Sequence, residues 1–242
     1  MDIKNVEFEK ILRTGVLEYG LNLTDEHIDK LIKYKELLKE WNKKINLTAI
    51  EDDKDIAIKH FIDSFSVNQY IDIGDTKIID VGTGAGFPGI PLKIVNSRLD
   101  ITLLDSLDKR IKFLDLVIEN LELDKICAVH GRAEDLGILD LHREKYDICV
   151  ARAVASLPVL LEYCLPLVRV GGIFIAMKGS NIEELEESQK ALSLLGGEIK
   201  KIDEIHLPFT NNVRKIIIIR KFRHTPTKYP RKAGKPSKQP LI

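Results

Sequence analysis

Apolar positions along the chain change rhythm near residue 77. Upstream the spacing is helical. Ile28, Leu31, Tyr34, Leu38 and Trp41 recur every three or four residues and form one apolar stripe, the mark of a helix facing a core. Thr24 is suited to cap it, with Asp25 and Glu26 in the first turn where the helix dipole favours acids. A loop over 42–50 and a further helix over 55–67 complete a helical N-terminal region, 1–70.

Downstream, short β-branched runs at 77–81, 101–104, 126–130, 146–150 and 172–177 alternate with helical stretches near 90–96, 108–121, 157–168 and 182–195. That alternation predicts an α/β fold, a parallel sheet with helices on both faces. The ending differs. Runs at 198–207 and 213–220 are joined by a short Pro/Asn-containing loop, too short for a parallel crossover, so this last pair is expected antiparallel. The sheet domain spans 71–221. Prolines at 226, 230, 236 and 240 then predict an extended tail over 222–242 that forms neither helix nor central strand.

Composition refines this picture. Apolar residues make up 44 % of 242, enough for a sizeable core. No run approaches the roughly 20 apolar residues of a membrane span. The first ten residues, MDIKNVEFEK, lack the basic start and apolar stretch of an export leader. A cytoplasmic protein is expected, and with it cysteines 127, 149 and 164 as small core residues rather than disulfide partners or metal ligands. Net charge is zero but uneven. Eight of the 37 Lys and Arg lie in 220–242, which has no acid, so the remaining 29 face 37 acids, a net of minus eight. A flexible basic strand on an acidic body is expected to neutralise phosphates and to leave any cofactor site untouched.

The richest chemical signal is Asp80-Val81-Gly82-Thr83-Gly84-Ala85-Gly86-Phe87-Pro88-Gly89, closing a strand and opening a helix. Glycines permit a tight turn and close backbone approach to a ligand, and the helix start offers free N–H groups. Gly84, Gly86 and Gly89, with Asp105 21 residues after Gly84, also satisfy the dinucleotide pattern. Asp80 argues against it. A carboxylate beside a pyrophosphate is repelled by about 1–4 kcal/mol at 4 Å, whereas S-adenosylmethionine brings an ammonium and a sulfonium. Asp105, ending the second strand, can accept ribose hydroxyls or cap the next helix. Glu134, after the third strand, can flank an adenine or start a solvated helix. Arg152 ends an apolar fourth strand, where ligands of open α/β sheets bind, and is the candidate catalytic residue.

The fourth strand ends in Ala-Arg-Ala-Val-Ala-Ser over 151–156, which includes neither an Asn/Asp-Pro-Pro-aromatic element for an exocyclic amine nor a cysteine for attack on a pyrimidine. The substrate atom should therefore already be nucleophilic. Guanine N7 qualifies, having an in-plane lone pair and no proton to remove. Two other readings remain open: a nicotinamide-dependent oxidoreductase and a non-enzymatic RNA-binding assembly factor.

Several segments together resemble the ribosomal small-subunit methyltransferase G family, also called glucose-inhibited division protein B. They are Trp41-Asn42 with Asn46-Leu47-Thr48-Ala49-Ile50, His60-Phe61-Ile62-Asp63-Ser64, the Asp80 to Pro91 loop, Leu104-Asp105-Ser106 with Lys109-Arg110, Arg152-Ala153, Lys178-Gly179 and the Tyr229–Leu241 tail. The resemblance covers nearly the whole chain. It implies a class I, Rossmann-like methyltransferase sheet and N7 methylation of one guanine in the decoding-centre loop of 16S rRNA. The implied partner is that rRNA or the small ribosomal subunit, and the protein is expected to be a monomer without membrane or metal. It further implies that Gly82, Phe87, Asp105, Ser106, Ala133, Glu134 and Arg152 contact S-adenosylmethionine, and that His60, Asp63 and Ser64, with Asn46 nearby, border the target base. From the residues alone, His60 reads as a surface or capping group, and Asn46 and Thr48 equally as loop-forming hydrogen bonders.

Overall fold

The computed structural model describes residues 3–72, 74–152, 154–179 and 184–242. Ala153 and the start of the 182–195 helix lie outside them. Seven strands form one sheet: β1 (Lys77–Val81), β2 (Asp100–Asp105), β3 (Ile126–His130), β4 (Tyr146–Arg152), β5 (Val168–Lys178), β6 (Gly197–His206) and β7 (Val213–Lys221). Their order is β3-β2-β1-β4-β5-β7-β6. β3, β2, β1, β4 and β5 run parallel, and β7 is antiparallel to both β5 and β6. Chain order reverses at β1, which pairs with β2 on one side and β4 on the other. The carboxyl ends of β1, β2 and β4 therefore bound the crevice where such sheets bind ligands.

Helices cover both faces. On the first lie α1 (Ile3–Gly15), α2 (Asp25–Ile45), α3 (53–65), α4 (Gly89–Val95) and α5 (Asp108–Asn120). In α2, Thr24 Oγ1 accepts the N–H of His27 at 3.2 Å, and the stripe Ile28, Leu31, Tyr34 and Leu38 is buried where α2 packs against α4 and α5. α3 is α-helical at Asp53–Ile56, widens to a π-helix at Ala57–Ile62 and ends α-helical at Asp63–Phe65. Such π turns are frequent at functional sites. Alternation along the strands splits the core in two. Ile78 and Val150 join the N-terminal helices, while Ile79 and Cys149 join the opposite layer.

That second layer holds α6 (Ala133–Leu136), α7 (Leu157–Cys164), α8 (Glu184–Glu187) and α9 (Gln189–Leu195), together with Tyr229 and Leu241 of the C-terminal segment. Three expectations are corrected here. The helix from 157 stops at Cys164, and β5 already begins at Val168. Cys127 is exposed on the edge strand β3, whereas Cys149 and Cys164 are buried. The C-terminal segment is not a free extended strand. It folds back on the body and includes α10 (Lys235–Lys238). The reason is charge. Glu162 is fully buried and takes a bidentate bond from Arg231, at 2.6 Å from Nη2, and Glu144 takes the buried Lys221 at 2.6 Å.

Candidate functional site

The glycine loop leaves β1 with Gly82, Gly84 and Gly86 at φ of 70°, 62° and 99°, a region costly for any residue with a Cβ. Close packing adds a second constraint. A Cβ on Gly82 would lie 2.7 Å from Val154 Cγ2, and one on Gly86 would lie 2.5 Å from Ile90 Cδ1 and 2.6 Å from the Tyr34 hydroxyl. That hydroxyl donates to the carbonyl of Ala85, so α2 props the loop from behind.

Asp80 is fully buried and does not line the cavity in front of the loop. Asp80 thus lies beneath the turn rather than on the cavity wall. Its Oδ2 accepts the Thr83 hydroxyl at 2.7 Å and the Gly89 N–H at 2.9 Å, tying the loop to the first turn of α4. Oδ1 is buried without a partner among the described residues. Burial pushes the carboxyl up to about 6, against the pull of the Thr83 and Gly89 bonds.

Asp105 closes β2 with 3 % exposure. Its Oδ2 accepts the Gly84 N–H at 3.0 Å and Arg110 Nη1 at 3.1 Å, and Oδ1 accepts the Leu107 N–H at 3.0 Å. It thus holds the turn that leads into α5 and, a role the sequence did not suggest, ties the glycine loop to the end of β2. Ser106 stands exposed beside it.

Arg152, at the end of β4, is 3.0 Å from Asp63 Oδ2, and Arg214 Nε is 3.0 Å from Asp63 Oδ1. Asp63 is buried at 2 % exposure. One carboxylate on α3 therefore clamps two guanidinium groups from β4 and β7. His60 stacks on Phe87 at 4.5 Å and 9°, and the Arg152 guanidinium lies 5.2 Å from the same ring. Burial, aided by Arg152, pushes His60 down to about 3. It is neutral at physiological pH, with Nε2 2.8 Å from Thr48 Oγ1.

These groups line a cavity of about 650 Å³, together with Lys59, Arg110, Met177 and Lys178. A second cavity, of about 260 Å³, adjoins it and shares Gly82, Asp105, Ser106 and Val154; its far wall includes Ala133, Glu134 and Tyr163. The structure thus brings Gly82, Gly84, Phe87, Asp105, Ser106, Ala133, Glu134, Arg152, His60 and Asp63 to one continuous cleft. Gly86 and Asp80 act from behind it. Ser64 is fully buried, its hydroxyl donating to the His60 carbonyl at 2.5 Å. Asn46 ends α2 in a left-handed conformation and does not line either cavity.

Lys59, Lys178 and Arg214 went unassigned in the sequence. Each wall cation is matched by an acid: Lys59 by Asp55, Arg110 by Asp105, Arg152 and Arg214 by Asp63, Lys178 by Glu184. This pairing leaves the cleft able to take a cationic cofactor. The orphaned Oδ1 of Asp80, the exposed Ser106 hydroxyl and the Glu134 carboxylate are donors and acceptors of the kind S-adenosylmethionine presents partners for. Among the described residues no cluster of three or more His, Cys, Asp or Glu is arranged to hold a metal, and no helix is long and apolar enough to cross a membrane.

Residues 27–216 match the family described as rRNA small subunit methyltransferase G. A protein named ribosomal RNA small subunit methyltransferase G from Acetivibrio thermocellus is 61 % identical over 241 residues, covering all of both chains. A namesake from Alkaliphilus oremlandii is 53 % identical over 98 % of this chain and all of its own. Among solved structures, a SAM-dependent methyltransferase from Aquifex aeolicus superposes with a TM-score of 0.53 at 15 % identity, over 72 % of this chain and 96 % of that one. A precorrin-6y C5,15-methyltransferase from Geobacter metallireducens gives 0.50 at 11 %, over 66 % and 87 %. At those identities the likeness speaks to fold, the class I methyltransferase sheet.

Proposed function

The chain belongs to the rRNA small subunit methyltransferase G family, and on that premise we propose that it methylates N7 of a guanine in 16S rRNA within the cleft described above. It is an S-adenosylmethionine-dependent rRNA methyltransferase. Its substrate is small-subunit rRNA, free or within the subunit, and its place of work is the cytoplasm, where ribosomes are.

The observation that carries the N7 assignment is the character of the walls. Guanine N7 needs positioning and no deprotonation. The imidazole nearest the glycine loop, His60, is neutral, stacked and hydrogen-bonded to Thr48; it serves as a flat wall with Phe87. The three cysteines stand outside the cleft, two in the opposite core layer and one on the edge strand, so attack on a pyrimidine ring has no nucleophile here. When bound, the cofactor supplies an electrophilic methyl on a sulfonium. Asp105 and Glu134 would hold its ribose and adenine, the glycine loop over Asp80 its amino-acid end. Arg152, fixed by Asp63, would offer hydrogen bonds to the incoming base, and Lys59, Lys178 and Arg214 would receive the RNA backbone. Rate enhancement then comes from alignment for in-line transfer.

Two measurements test this together. Calorimetry should give saturable binding of S-adenosylmethionine and none of NADH. Incubation with labelled cofactor and small subunits should put label into 16S rRNA. NADH binding, or cofactor binding with no transfer to any subunit or rRNA preparation, would overturn it.

A further inference from the structure

The C-terminal segment, which composition marks as a free basic strand, sits against the smaller cavity. Ser237 contributes to that cavity's wall, together with Glu134 and Tyr163. The segment is anchored at several points. The Gly234 N–H donates to Glu134 Oε1 at 2.8 Å, so the carboxylate facing the cavity is itself oriented by the segment. Arg231 makes its bidentate bond to Glu162, and its own backbone N–H adds a further 2.8 Å bond to Glu162 Oε1. Arg143 collects the carbonyls of Tyr229 at 2.8 Å and Thr225 at 2.7 Å. Pro230 is seated so closely on α6 that a Cβ on Gly137 would come within 2.9 Å of its Cγ.

We propose that residues 229–238 form a wall of the adenine subsite and that cofactor affinity depends on them. The inference rests on the cofactor reading given above. A charged strand that only sought phosphates would remain solvated. Here a buried ion pair and a backbone bond to the cavity's own acid fix its course, and a buried pair with one partner removed is strongly unfavourable. Six cations, Arg220, Arg223, Lys228, Lys232, Lys235 and Lys238, stay exposed on the outer side. The segment can therefore present charge to RNA while its inner side closes the cofactor site.

The test uses the full-length chain and calorimetry with S-adenosylmethionine and, separately, adenosine. Ser237 is exposed, so Ser237→Trp should fold with an unchanged melting temperature while its indole fills the subsite. The expected result is at least a tenfold loss of affinity for both ligands. Arg231→Met should lose a similar factor and Arg231→Lys less, while Arg220→Ala, a change of charge at an exposed position outside 229–238, should stay within twofold. If Arg231→Met fails to fold, Ser237→Trp decides alone. Wild-type affinity in Ser237→Trp overturns the inference, as does a loss in Arg220→Ala equal to that in Ser237→Trp. If the wild-type chain binds no S-adenosylmethionine at all, the cofactor reading falls, and this inference with it.

Discussion

Asp80→Asn separates stability from binding. Asp80 is fully buried, and burial pushes its carboxyl from the ordinary 3.8 to about 6. A folded-state pKa above the unfolded one means that this group's contribution is fully present below about pH 3.8 and is lost as pH rises through about 6. At pH 7 its ionisation opposes folding by two pKa units, about 3 kcal/mol at about 1.4 kcal/mol each. Asparagine does not ionise. Its carbonyl can accept from Thr83 and Gly89 as Oδ2 does, and its amide takes the place of the unpartnered Oδ1, at about 1–3 kcal/mol for a buried unsatisfied donor. The absolute change is thus small, but its pH dependence is not. Between pH 5 and pH 7 the variant should gain at least about 1 kcal/mol on the wild type in urea unfolding without ligand. Its affinity for the cationic cofactor should fall at least about tenfold. A stability difference that is flat with pH would refute the buried-charge argument. Unchanged cofactor affinity would refute the idea that the carboxylate is kept for a cation.

Other perturbations bear on the rest of the cleft. Arg152→Ala should lower turnover more than about tenfold, since a charge-assisted hydrogen bond at a reacting base contributes at least about 1.5 kcal/mol; activity within twofold would make the residue peripheral. Asp63→Ala leaves Arg152 and Arg214 without their shared partner and should destabilise by about 3 kcal/mol, the low end for a buried pair because Arg214 keeps 26 % of its side chain in solvent; a loss below about 1 kcal/mol in urea unfolding would count against the clamp. His60, held near 3 by burial, contributes stability that is complete above the ordinary histidine pKa of about 6.5 and is lost as pH falls towards 3; its NMR resonances should not titrate between pH 5 and 8, and a midpoint in that range would contradict the buried wall.

The sheet was legible because each strand carries its own evidence. The runs at 77–81 and 126–130 coincide with β1 and β3 to the residue, since β-branched runs bounded by polar loops need no distant partner to be recognised. The antiparallel β7 was likewise forced by a connection too short to cross over. What was lost depends on distance along the chain. Asp63 meets Arg214 151 residues away, and nothing local marks either as its partner. Asp80 sat in the richest motif, yet whether it faces solvent or lies under the turn is decided by Gly89, nine residues on. The C-terminal segment misled most. Its prolines and cations read as solvated chain, but Glu162 and Glu134, which look like ordinary helix acids, fold it back from 69 and 100 residues upstream. The π turn of α3, which brings His60 and Asp63 towards the cleft, had no sequence signal beyond the resemblance.

The central claim is the identity of the methylated atom. Small ribosomal subunits and naked 16S rRNA should each be incubated with the enzyme and methyl-labelled S-adenosylmethionine, then reduced and treated with aniline, which cleaves the chain at N7-methylated guanine. The account predicts labelled nucleoside that comigrates with 7-methylguanosine and a single new cleavage site at a guanine. Label confined to a pyrimidine, an exocyclic amine or a ribose, with no aniline-sensitive guanine, would contradict it.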